Sequence, residues 1–240
     1  LLYEPQSADL LLRLFGRDAH DDDDPERATL FVAVLDAQSA QRIHALGAAT
    51  DCDDWSSLGR CVDALETVLP SRSGLDGRRA LADALLALTQ RAPGGLPTAL
   101  GQRIAALAEA AAPPWLFRKS PWPRTTRQLL LTVAATAATL ARDAATEPHH
   151  DVQLVFAGTT QLWRAAYCAR VARDKLALGA IEQLFDTVAE AAAASGQSAW
   201  RPLIEHHRQW GREGDGRTPP YGDDLVRCLG RDDVRQGPFR

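Results

Sequence analysis

A chain of 240 residues that is 45% hydrophobic can bury a substantial core, as one large domain or two of ordinary size. Its 27 Lys and Arg against 31 Asp and Glu leave a net charge of −4, which argues against a dedicated nucleic-acid binder, DNA included, although a local patch could touch phosphate. No run of 18 apolar residues exists, because even Leu129 to Ala145 is punctuated by Thr132, Thr136, Thr139, Arg142 and Asp143, so no membrane span is expected.

The abundance of alanine and leucine favours helix, and strand-forming runs are nearly absent. Ser7 can cap a first short helix with a stripe of Leu10, Leu11, Leu14 and Phe15. Asp24 stands before Pro25, an N-cap followed by proline at the first helical position, and the acidic run Asp21 to Asp24 suits the positive end of the helix dipole. The helix that follows runs to about Ala49 and buries Phe31, Val34, Leu35, Ile43 and Leu46. The next carries Leu58, Cys61, Val62, Leu65 and Leu69 and ends at Pro70. Leu81, Leu85 and Leu88 make a third stripe, and Leu100, Ile104, Leu107, Ala108 and Ala111 a fourth.

The stretch from Ala112 to Gln128 then breaks the helical pattern. Pro113, Pro114, Pro121 and Pro123 remove backbone donors and push their predecessors out of the helical region. Trp115, Phe117 and Trp122 alternate there with Arg118, Lys119, Arg124 and Arg127, a candidate docking surface for a protein or an RNA; the bland alternative is aromatics plugging a seam beneath solvated cations.

Beyond it, Leu130, Val133, Ala137, Leu140 and Ala144 define a helix whose small flanking residues permit close approach, so it should be sandwiched on two sides. Val152, Val155, Phe156, Thr159, Leu162, Trp163, Ala166 and Tyr167 form the widest aromatic-bearing face. Asp174 caps a further helix with Ile181, Leu184, Phe185, Val188 and Ala192, and a shorter, more polar one spans Trp200 to Trp210. The predicted organisation is an N-terminal helical half (1–112), a Pro/Trp/basic connector (113–123), a C-terminal helical half (124–210) and an extended tail (211–240). Tyr221, Leu225, Leu229 and Phe239 are its anchors, and so apolar-poor a segment needs another surface, its own body's or a partner's, to order it.

Amphipathic helices joined by short loops suit stacked antiparallel pairs, an α-solenoid or an irregular bundle. Leu58-Gly-Arg-Cys-Val-Asp-Ala-Leu65 aligns with Leu100-Gly-Gln-Arg-Ile-Ala-Ala-Leu107 at an offset of 42 residues, a period of two-helix repeats. In that pattern, over Leu58 to Ala112 and Leu129 to Ala194, the chain resembles degenerate helix-pair repeat proteins: HEAT-like solenoids and the octotricopeptide- and heptatricopeptide-like repeats of organellar RNA-handling proteins. The resemblance implies an all-α fold and transfers no functional residue.

Candidate chemistry is sparse. Asp21 to Asp24 would need a second acidic cluster across a cavity to hold a metal ion, and acidic capping accounts for them more simply. His149-His150-Asp151 resembles the adjacent His-Asp of metal-dependent phosphohydrolases, with His44 and Asp174 or Asp186 as nominal partners, and dipole capping is the simpler role here too. His206 and His207, on a polar helix, read as solvated. The cysteines Cys52, Cys61, Cys168 and Cys228 match no zinc spacing and no disulfide framework, so buried reduced thiols are expected. There is neither a phosphate-cradling Gly-Lys-Ser/Thr loop nor a nucleophile elbow.

These features predict a non-enzymatic scaffold or accessory subunit working through other subunits of a larger assembly, with no metal and no cofactor. An RNA-contacting repeat protein of an organellar ribosome or processing complex and a small all-helical metal-dependent enzyme are the alternatives. The chain begins at Leu1 and contains no methionine, which fits removal of a targeting segment and a mitochondrial home.

Overall fold

The computed structural model describes residues 59–60, 62–63, 65–66, 75–91, 96–117, 121–146, 152–197 and 200–222. The helices expected before Ala49, the acidic run Asp21 to Asp24, the His149-His150-Asp151 triplet, Arg118, Lys119 and the tail anchors Leu225, Leu229 and Phe239 lie outside them.

Among the described residues there is no strand, and six α-helices follow one another: α1 Leu75–Arg91, α2 Thr98–Ala111, α3 Arg124–Thr146, α4 Val152–Val171, α5 Lys175–Ala194 and α6 Arg201–Glu213. A 3-10 turn, Pro114–Phe117, interrupts the path from α2 to α3 where the prolines require it. α6 continues to Glu213, three residues past the expected helix end at Trp210. The expected stripes are buried: Leu81, Leu85 and Leu88 in α1, Leu100, Ile104, Leu107, Ala108 and Ala111 in α2, and Ile181, Phe185, Val188 and Ala192 in α5. Asp174 caps α5, its carboxylate accepting from the Ala177 N–H.

Each helix packs on the next and on the next but one. α1 meets α2 and α3, α2 meets α3 and α4, α3 meets α4 and α5, α4 meets α5 and α6, and α5 meets α6. The polar links between alternate helices keep the same order along the chain. Gln102 of α2 bonds Gln153 of α4, the Gln161 amide donates to the Ala105 carbonyl at 2.7 Å, and Arg164 pairs with Glu109 at 2.7 Å. Along the other set, Thr132 of α3 reaches Asp83 of α1, Arg127 at the start of α3 pairs with Asp174 at the start of α5, and Ser195 after α5 donates to Ala145 near the end of α3. Start meets start and end meets end, so α2 lies parallel to α4, and α3 to α5.

α3 is the shared wall. Leu129, Val133 and Leu140 join Val62, Leu65 and the leucines of α1 and α2 in one apolar cluster. Leu130, Ala134, Ala138, Ala141 and Ala145 join α4, α5, Trp200, Leu203 and Ile204 in the other. The segments before and after the connector therefore meet on two faces of one helix. Each fully buried Leu or Phe contributes about 1.5–3 kcal/mol. The alanines contribute less individually, but they let α4 approach closely enough for Gly158 to lie against the Ala137 carbonyl and Ala141.

Candidate functional site

The structure distributes the connector residues between core and surface. Trp122 is 8% exposed, its indole N–H donates to the Phe117 carbonyl at 3.1 Å, and its ring meets buried Phe117 edge to face with centroids 5.5 Å apart. A ring enclosed in this way is a core plug with no free face on which a base could stack, which matches the seam-plugging alternative for Trp122. Trp115 belongs by its backbone to the 3-10 turn. Arg127 is committed to Asp174. Burial pushes the Asp174 carboxyl up, but the Ala177 N–H and the Arg127 guanidinium outweigh it and hold the group below the usual carboxylate range. Arg124 is exposed.

A polar cluster that the sequence reading assigned to solvent lies instead at the α4–α6 contact. His207 is fully buried. One ring nitrogen, Nδ1, is 2.8 Å from Thr159 Oγ1 and the other, Nε2, is 2.8 Å from the Tyr221 hydroxyl. Thr159 in turn donates to the Val155 carbonyl at 2.7 Å, leaving its oxygen to accept from Nδ1. That assigns the proton to Nδ1 and makes Nε2 the acceptor of the Tyr221 O–H. Phe156, His206 and Tyr221 surround the imidazole with ring centroids 5.4–6.2 Å from it. Burial, with His206 adding to it, lowers the His207 pKa to about 3, and burial pushes the Tyr221 hydroxyl well above its ordinary value. Both groups are neutral at physiological pH.

The cluster holds the segment after α6 against the helices. Tyr221 packs on Phe156, the Trp210 N–H donates to the Arg217 carbonyl at 2.9 Å, Arg170 bonds the Gly214 carbonyl, and Pro219 is buried. Beside it His206, Gln209, Trp210, Glu213, Gly214 and Asp215 line an open groove of about 520 Å³.

Other chemistry-bearing groups are similarly committed. Cys168 is partly buried, and burial pushes its thiol up to about 11, so no thiolate nucleophile forms near neutrality. Of the carboxylates nominated beside the His-Asp triplet, Asp174 caps α5 and Asp186 pairs with Arg208 at 2.7 Å. Among the described residues no group of three or more His, Cys, Asp and Glu is arranged to hold a metal ion, and no helix is long and apolar enough to cross a membrane. The fold and its buried clasp define an all-α protein with helices packed directly on helices. No protein-family model, curated protein or solved structure matches the chain.

Proposed function

We propose that this chain is a helical scaffold, an accessory subunit of a larger assembly that works through protein–protein contacts. The observation that carries the reading is the packing order, each helix against the next and the next but one, with α2 parallel to α4 and α3 to α5. That order supports reading α1, α3 and α5 as one row and α2, α4 and α6 as the other of a helix-pair solenoid, whose use is an extended surface for partners. The buried polar groups fit the same reading: His207, Thr159 and Tyr221 are spent on one another, and Arg78 is spent on the carbonyls that end α2.

Native gel electrophoresis of gently lysed source cells tests the proposal, with and without ribonuclease. The protein should migrate in an assembly much larger than the single chain and should keep that mobility after ribonuclease treatment. Migration as the free chain would overturn the scaffold reading, and collapse on ribonuclease treatment would replace it with an RNA-dependent role.

A further inference from the structure

The end of the stack where α3 and α5 begin and α4 ends combines two features that the fold does not use. Val171, the last residue of α4, is 53% exposed and Leu176, in the first turn of α5, is 74% exposed; these are the exposed large hydrophobic side chains among the described residues. They flank a tight turn. The Arg173 N–H donates to the Arg170 carbonyl and the Asp174 N–H to the Ala169 carbonyl, both at 2.9 Å, a Schellman closure. Arg173 takes the left-handed position of that turn at φ 58°, where glycine is the unstrained choice, so the turn carries an outward cation at a conformational cost.

Charge is concentrated at the same place. Arg124, Arg173 and Lys175 are exposed and form no ion pair among the described residues, and Arg127 and Arg170 stand beside them. Asp174, already paired and capping, is the carboxylate of this turn. The first turn of α3 carries no acidic residue, and at α5 the capping Asp174 already supplies a carboxylate; Arg124 and Arg127 occupy the positive end of the α3 dipole, where carboxylates are the favoured neighbours. On a chain of net charge −4, this is a local excess of positive potential around two uncovered aliphatic side chains.

We propose that this corner docks an acidic, aliphatic-bearing helix of a partner protein. The occupant's apolar stripe covers Val171 and Leu176, and its flanking carboxylates meet Arg124, Arg173 and Lys175 while supplying negative charge at the start of α3. A nucleic acid fits less well: the corner's apolar groups are aliphatic, and Trp122 beside it is enclosed. The proposal rests on the protein-contact reading above and names its surface.

The test is fluorescence anisotropy with a labelled helix-forming peptide of about five turns, Leu on one stripe and Glu beside it. Its Glu-to-Gln counterpart, a polyglutamate of equal length and an oligouridylate serve as competing probes. The Leu/Glu peptide should bind best and weaken with salt. Leu176→Ser, and separately Arg173→Glu with Lys175→Glu, should each lower its affinity at least about tenfold. Because these side chains are exposed, thermal stability should hold, which separates lost docking from misfolding. Equal affinity of the variants and the parent, or tighter binding of oligouridylate, would overturn the proposal. If the native assembly persists in cells carrying Leu176→Ser, this surface is wrong and the scaffold stands; if the parent forms no assembly, the scaffold reading itself falls.

Discussion

Replacing Gly158 by alanine tests the α3–α4 contact within the apolar cluster that α3 shares with α4 and α5. Alanine in a helix interior is favoured over glycine by about 0.8–1 kcal/mol, so propensity alone predicts stabilisation. The packing predicts the reverse: a Cβ at Gly158 would lie 2.5 Å from the Ala137 carbonyl oxygen, 2.8 Å from the Ala141 Cβ and 3.2 Å from the Ala141 nitrogen. The obstacles are mainly backbone of α3, which cannot rotate aside, and α3 cannot retreat without loosening its contacts on the other face. Overpacking of this kind costs about 1–3 kcal/mol, which leaves a net loss of up to about 2 kcal/mol after the propensity gain. For a chain of this size that lowers Tm by up to about 8 °C. Gly179, inside α5 with nothing within 4 Å of its would-be Cβ, is the control: Gly179→Ala should stabilise by about 0.5–1 kcal/mol. Thermal and urea denaturation followed by circular dichroism would measure both. If Gly158→Ala matches Gly179→Ala in sign, the helices are not packed as closely as described and the argument for α3 as a shared wall is wrong.

Phe185, fully buried, should lose about 3–5 kcal/mol on change to alanine, and Phe156, only half buried, about half as much by the same denaturation measurement. Tyr221→Phe leaves His207 Nε2 buried without its donor and should cost about 1–3 kcal/mol, with faster amide exchange confined mainly to residues 214–222. The His207 pKa is depressed on folding, so the unfolded chain binds more protons in acid. Its contribution is intact above about pH 6.5, and stability falls by about 1.4 kcal/mol per pH unit from there down towards pH 3; His206, lowered by its own burial, adds in the same direction. Urea titrations between pH 7 and 5 should show a loss of about 2 kcal/mol or more in the parent and a shallower slope in His207→Gln.

The helices were legible because their apolar spacing survives in an Ala/Leu-rich chain. The Asp174 cap and the small residues flanking Val133 and Leu140 carried enough physics to anticipate the start of α5 and the sandwiching of α3. The polar clasp was misread because α6 is dominated by Glu205, His206, Arg208, Gln209 and Arg212, which hide a narrow inward stripe. Leu203, Ile204, His207 and Gly211, all buried, recur at helical spacing, and that signal could have placed His207 inside. What no local pattern could supply was its partners, since Thr159 lies 48 positions earlier and Tyr221 beyond the helix end. For Trp122 the sequence leaves docking and seam-plugging both open: basic and proline neighbours suit a docking surface, while its indole N–H finds the Phe117 carbonyl only five residues back.

Hydrogen exchange on the chain alone and within its native assembly tests the central claim, that this helical stack works by docking proteins, most directly. Amides around the α4–α5 turn and the start of α3, residues 124–127 and 171–178, should slow by at least about tenfold on assembly, while those of the α3 core stay equally protected in both states. Unchanged exchange at that corner and everywhere else on the described surface, or failure to recover any assembly, would contradict the account.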